Sequence, residues 1–524
     1  MSWPPSDVDH LLVTAAQMAA IEKEMLASGM PVASLMEKVG QGMVAWLRQQ
    51  PGLLDKGVIV LVGPGHNGGD GLVVARELHL AGFNVQIWCP LPIRQPLTAK
   101  HWDHLIWLGI EQLEQAPDAA SEALWIEAVF GLGQSRPLPD PLKTLLKERQ
   151  RHQPGKLVSL DVPAGLCSDS GRALAGSAAV AAATLSVGLV KRGLVQDAAA
   201  AYVGQLTRVD MGLPEKSLQQ LPASQPLRID PADIATLSCP QPAPMAMKYE
   251  RGRLLVIAGS DHYRGAARLA LEGALASGSG SVQAAVPAEV ANQLWKETPE
   301  VVLAAGLETA ADGLMPLGGW LAGHDLNRID ALLLGPGLAL GPAGSWSTVA
   351  EPLQRFEGLL VLDADGLNRL ANDPKGWRWL KRRLGPTWLT PHAAEFQRLF
   401  PELKDLEPLD AAVEAARLSG AVVLLKGAHS VVADPSGAAW QLADTADWVA
   451  RTGLGDVLAG FAAGWGALAL AAAQTCEGEQ LATAVFLHAE AARHCSKASS
   501  ALPIARSLAA LMTRIQSKKH ARNT

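Results

Sequence analysis

The chain has 524 residues, 48% apolar and 18% charged, with a formal net charge of −6. That length exceeds one ordinary hydrophobic core and implies two or more domains, while the composition is that of a globular protein and not of a disordered or fibrous one. The acidic balance, with its one basic cluster at Lys518, Lys519 and Arg522, argues against a nucleic-acid surface, and five scattered cysteines suggest a reducing, cytoplasmic compartment with neither a disulfide framework nor a zinc site.

Met1–Asp7 shows no basic or apolar leader, so no export signal is expected. Residues 10–50 read as helical. The β-branched run Val58–Val62 reads as a buried strand leading into Gly63-Pro64-Gly65-His66-Asn67-Gly68-Gly69-Asp70-Gly71, with helical character resuming at Leu72–Leu78. A glycine loop at a strand-to-helix junction presents backbone N–H groups to an anion such as a phosphate. Val85–Trp88, Trp125–Phe130, Leu157–Leu160 and Thr184–Val187 read as further strands. Alternating strands and helices imply a parallel sheet, with ligands beyond the carboxyl ends of its strands. Gly63–Gly71, Gly131–Gly133 and Asp161–Gly165 all fall at those ends. Asp161, on the stiff turn before Pro163, suits a general acid/base, though spacing alone favours a loop aspartate capping its turn.

Residues 219–247, rich in Pro, Gln and Ser, read as a linker between a first domain, 1–218, and a second, 248–515, with a basic tail at 516–524. In the second half, apolar runs end in Gly259-Ser260, Gly335-Pro336-Gly337, Asp363-Ala364-Asp365-Gly366, Pro391-His392 and Lys426-Gly427. Thr452–Gly460 sets glycines and Asp456 before an apolar helix. Its N–H groups form a candidate anion hole, with Asp456 as a base for a hydroxyl or simply as an N-cap. The uncharged run Val457–Ala473 is shorter than the roughly 20 residues that span a bilayer, so a buried helix is expected and no membrane partner.

Asn67-Gly68-Gly69-Asp70-Gly71 resembles the N-terminal domain of the bifunctional NAD(P)H-hydrate repair enzymes. Leu255–Ser260 with Tyr263–Ala267, Leu334–Leu338, Val361–Asn368, Leu389–Phe396, Leu425–Ser430 and Thr452–Gly460 resemble, in order, the ribokinase-like ADP-dependent NAD(P)H-hydrate dehydratase domain. The resemblance implies two different α/β domains, Rossmann-like and doubly wound in the first half and ribokinase-like in the second. For the first it implies epimerisation of the R and S hydrates (NADHX, NADPHX), bound by His66, Asn67, Gly68, Gly69, Asp70, Gly131, Leu132, Gly133, Gln134, Ser135, Arg136, Pro137 and Asp161, with Asp161 catalytic. It also implies a K+ site at Asn67, Glu127 and Ala164. Here His66, Glu127 and Ala164 stand where Asn, Asp and Ser are usual.

For the second half the resemblance implies ADP-dependent dehydration of the S hydrate, giving NAD(P)H, AMP and phosphate. Ala266, Gly337, His392 and Asp456 would contact the hydrate, with Asp456 catalytic. Lys426, Gly427, Ala428, His429, Ser430 and Gly455 would contact ADP, with Mg2+ on its phosphates. Leu454, Thr452 and Ala394 stand where Thr, Gly and Gly are usual. A homo-oligomer is implied by analogy. Two alternatives stay open on the residues: a small-metabolite kinase, and an active dehydratase behind a non-catalytic, nucleotide-binding first domain.

Overall fold

The computed structural model describes residues 3–237, 239–308, 317–341, 344–444 and 446–523. The side chains of Lys518, Lys519 and Arg522 lie outside the described residues. The chain divides into two compact units, Ser6–Pro226 and Leu227–Thr524, the latter joined by Met1–Pro5.

In the first unit the apolar runs form β1 (Val58–Val62), β2 (Val85–Trp88), β3 (Glu111–Gln112), β4 (Leu124–Ala128), β5 (Leu157–Leu160), β6 (Ala183–Val187) and β7 (Gln205–Val209). They pair in parallel in the order β3-β2-β1-β4-β5-β6-β7. The order reverses between β1 and β4, the crevice where doubly wound sheets bind ligands. Strands β1, β4 and β5 are buried throughout, as expected for central strands covered on both faces.

Three local features differ from the expectation. The Asn67–Gly71 glycines lie inside the helix His66–Leu80, not in a loop before it. Glycine disfavours helix interiors, but close packing overrides that preference here: a Cβ on Gly68 would meet the Gly63 carbonyl at 2.2 Å. The region read as helical from 10 contains the short strand Leu12–Val13, paired with Val190–Lys191, before the helices Ala15–Ala27 and Val32–Arg48. The Pro-rich segment 219–247 contains an edge strand, β8 (Leu227–Ile229), too short to be legible among its turn residues.

The second unit continues with β9 (Arg253–Ile257), β10 (Ser281–Pro287), β11 (Val302–Leu307), β12 (Ala331–Leu334), β13 (Leu359–Leu362), β14 (Thr387–Leu389), β15 (Val422–Leu425), β16 (Val431–Ala433) and β17 (Ala439–Leu442). The ten-stranded sheet runs β8-β17-β16-β15-β14-β13-β12-β9-β10-β11. It is parallel except where β16 meets β15 and β17. Its last helix, Ala501–Asn523, runs through the segment read as a separate tail.

The helix Leu454–Ala471 is long and apolar enough to cross a membrane, yet 72% of it is buried in the fold as a core helix. Its small residues follow from its neighbour, Arg264–Ala276. A Cβ on Gly460 would meet the Ala270 carbonyl at 1.8 Å, and one on Gly273 would meet the Val457 carbonyl at 2.1 Å. Gly460→Ala should therefore force the helices apart and cost about 1–3 kcal/mol, measured by denaturant unfolding. Gly319→Ala, at an exposed position of the helix Leu317–Gly323 with nothing within 4 Å of the new methyl, should be neutral or slightly stabilising.

Candidate active sites

The carboxyl ends of β1, β4 and β5 open into a cavity of ≈ 480 Å³ whose lining includes His66, Asn67, Asp70, Gly131, Leu132 and Asp161, together with Glu22. Asp161 follows β5 in the left-handed region, φ 65°, a conformation costly for a residue with a Cβ. Its surroundings hold it there. The Asp161 N–H donates to Leu185 O at 2.8 Å, and its Oδ1 accepts from the Val187 N–H at 3.2 Å. Lys191 Nζ, on a side chain 1% exposed, lies 2.5 Å from the same oxygen and 2.6 Å from Val187 O.

The second loop is shared between functions. Gly133 turns it at φ 79°. Gln134 donates to Pro163 O at 3.2 Å and accepts from Gly165 N–H at 2.6 Å, so it clamps the Asp161 turn. Gln134, Ser135, Arg136 and Pro137 line a second cavity of ≈ 370 Å³, which shares Pro64 and Phe130 with the first. Gly68 and Gly69 lie beneath the first cavity; a Cβ on Gly69 would press on Met36, a lining residue, at 2.5 Å.

Charges in the first cavity are unevenly shielded. Burial, then the neighbouring Asp161 and Glu22 charges, pushes the Asp70 carboxyl well above the usual range. Burial and Asp161 raise Glu22, against a smaller opposing pull from Lys191. Acids biased toward protonation thus face a carboxylate that has a lysine counter-charge, an arrangement able both to accept and to donate a proton. Behind them Glu127 is fully buried. Its two oxygens accept from Val129 N–H at 2.8 Å and Ala164 N–H at 3.0 Å, and burial outweighs these bonds to raise its carboxyl to about 7. Asn67 donates to Leu160 O at 3.2 Å, but its Oδ1 is buried without a partner.

In the second unit Lys426, at the end of β15, donates to Asp363 Oδ1 at 2.7 Å, and Thr390 Oγ1 donates to the same oxygen at 2.7 Å. Burial opposes the charge on Lys426, but Asp363, Glu395 and Asp456 outweigh it and its pKa rises. The backbones of His392 and Lys426 are bridged. His392 caps the helix Ala393–Leu399: its Nδ1 accepts from Ala394 N–H at 3.1 Å, while its own N–H donates to Glu395 Oε2 at 2.9 Å. Gly427 and Ser430 close the following loop, the Gly427 N–H donating to Ser430 Oγ at 3.2 Å; Ala428 and His429 lie between them. Gly337 abuts Ala266, whose methyl lies 2.7 Å from the place a Gly337 Cβ would occupy.

Asp456 stands in the first turn of Leu454–Ala471, behind Gly453 at φ 86°. Lys426 Nζ lies 3.6 Å from where a Gly455 Cβ would be. Burial, then the negative Asp363, raises the Asp456 carboxyl to about 7, with Lys426 opposing. The structure therefore gathers Asp456, Gly455 and Lys426, and sets His392 beside Lys426.

The sequence reading missed Lys191, Glu22, Glu395 and the catalytic-side placement of Asp363. Lys191 had a signal, the first of two adjacent cations, Lys191-Arg192, after the uncharged run Ala173–Val190, since a lysine beside an apolar run must find an acid when buried. Glu22 had none, because its helix is distant in sequence from every glycine motif. Lys191→Met should strand the Asp161 charge and cost about 3–5 kcal/mol in urea unfolding, with much of the loss restored in the Lys191→Met/Asp161→Asn double variant.

Residues 32–193 match the model of the YjeF-related protein N-terminus, and residues 254–514 that of NAD(P)H-hydrate dehydratase. The bifunctional NAD(P)H-hydrate repair enzyme of Synechocystis sp. is 40% identical over 486 residues, covering 92% of this chain and 90% of the relative. That of Gloeobacter violaceus is 40% identical over 456 residues, covering 86% and 87%. The ADP/ATP-dependent NAD(P)H-hydrate dehydratase of Bacillus subtilis, crystallised with ATP and Mg2+, aligns with 54% of this chain and 96% of its own at 26% identity and a TM-score of 0.44. With its Rossmann-like and ribokinase-like α/β domains, the chain belongs to the bifunctional NAD(P)H-hydrate repair enzymes.

Proposed function

We propose that the chain repairs hydrated nicotinamide cofactors, with the first half interconverting the R and S hydrates and the second dehydrating the S form at the expense of ADP. The observation that carries the second activity is Asp456: a carboxyl raised to about 7, at the start of an 18-residue helix. A base of that pKa suits proton abstraction near neutrality. Asp456 takes the proton of the hydrate's ring hydroxyl as its oxygen attacks the β-phosphorus of ADP, and AMP leaves. Loss of phosphate and of a proton from the adjacent ring carbon then restores the double bond. Backbone N–H groups of Gly453–Asp456 and the Lys426 ammonium face the developing phosphoryl charge.

Among the described residues there is no group of three or more His, Cys, Asp or Glu that could hold a metal ion. A magnesium ion would arrive on the nucleotide and neutralise part of its phosphate charge. In the first half, Asp161 with its Lys191 partner is the acid/base toward the carbon bearing the hydroxyl. A potassium ion would find the unpartnered Asn67 Oδ1 and the Glu127 carboxylate, but from Ala164 only a carbonyl that already accepts Ala179 N–H at 2.8 Å.

The experiment is the pH profile of S-hydrate dehydration with ADP and magnesium. Asp456 must be ionised to act as base, so kcat should rise with pH through about 7 and level off above it. Asp456→Asn should lower kcat about 10²–10⁴-fold and abolish that limb. A profile flat through neutrality, with the variant near wild-type activity, would refute the assignment.

A further inference from the structure

The ≈ 370 Å³ cavity beside the epimerase cavity is lined by Arg94 and Arg136 and by no acidic residue. Among the described residues, neither arginine forms an ion pair. By contrast Arg76, on the helix His66–Leu80, is fully engaged by Glu37 and Glu77. Two uncompensated guanidinium groups on one concave surface, next to a reaction cavity, are a site for an anion.

The backbone shows how Arg94 is held at this cavity. The loop after β2 is fastened to the loop after β1: the N–H groups of Arg94 and Gln95 both donate to Pro64 O, at 2.9 and 3.2 Å, and Thr98 Oγ1 donates to Gly65 O at 3.0 Å. Arg94 is thereby held beside the N-terminus of His66–Leu80, whose N-cap is Gly65. Arg136 reaches the same cavity from the loop after β4. In a doubly wound sheet of this order, the residue near the end of β2 reads the adenosine ribose: an acid there accepts the 2′-hydroxyl of NAD, and an arginine accommodates the 2′-phosphate of NADP. Here the segment Cys89-Pro90-Leu91-Pro92-Ile93-Arg94-Gln95 carries an arginine and no acid.

Resting on the epimerase reading above, we propose that this second cavity receives the adenosine end of the hydrate, that Arg94 and Arg136 bind its 2′-phosphate, and that the first half therefore prefers NADPHX to NADHX. With the nicotinamide at Asp161, the pyrophosphate passes the helix N-terminus at Gly65, where both cavities meet along Pro64.

The test measures epimerisation of both hydrates without ADP, which leaves the second half idle, in wild type, Arg94→Ala and Arg136→Ala. Wild-type kcat/KM should favour NADPHX about tenfold, the effect of one charge-assisted contact. Each variant should lose most of that preference. Titration of the same proteins with 2′-phospho-ADP-ribose and ADP-ribose reads the site without turnover, because the second half is common to all three. The difference between wild type and Arg94→Ala should appear with the 2′-phosphorylated probe and shrink with the other. Equal use of both hydrates by wild type, or a preference untouched in both variants, overturns the proposal while the epimerase assignment stands. Failure to epimerise either hydrate, with the Arg94-dependent discrimination of the two probes intact, instead removes the epimerase reading and upholds the 2′-phosphate site.

Discussion

A lysine paired with a buried aspartate organises each half of this chain. In the first it is Lys191 with Asp161, in the second Lys426 with Asp363. Neither member tolerates burial alone, because an unpaired charge in such surroundings costs several kcal/mol. The pair therefore ties together elements far apart in sequence: the turn after β5 to the strand Val190–Lys191, and the end of β13 to the end of β15. Each lies at the carboxyl edge of a mainly parallel sheet, where helix N-termini and loop N–H groups converge.

The pairs also set the electrostatics around them. Asp161 is one reason that Asp70 and Glu22 are pushed toward their neutral forms, and Asp363 is one reason that Asp456 rises to about 7. Burial is the larger cause in each case, but the paired aspartate directs its effect to one side of the site. A fixed carboxylate beside an acid whose burial favours its protonated form is what proton transfer needs. The two halves reach it on different sheets, with different strand orders.

Much of this was legible in the sequence, because its signals are local. The glycine segments, Asp161 and Asp456 each sit within a few residues of a strand end or helix start, so spacing placed them at the sheet edges, and the family resemblance supplied the roles expected of the two aspartates. The glycines at 67–71 were read as loop because propensity disfavours them in helices; close packing explains them, Gly68 against the Gly63 backbone, Gly69 against Met36 and Gly71 against Ala128. Lys191, Glu22 and Glu395 were missed because their role lies in contacts across the fold. The division of the 131–137 loop, with Gln134 clamping the Asp161 turn and Arg136 facing a separate cavity, was likewise invisible until the two cavities were on view.

The central claim is that one chain carries two cooperating active sites, the first supplying the epimer that the second consumes. The most direct test follows the absorbance of the reduced nicotinamide as mixed R and S hydrates are repaired with ADP and magnesium, by wild type and by Asp161→Asn. The account predicts complete recovery by wild type, faster than spontaneous epimerisation allows. The variant should recover the S fraction at the wild-type rate and then creep at the spontaneous one. Complete, equally fast recovery by the variant would contradict the role of Asp161, and no recovery by wild type would contradict the repair function itself.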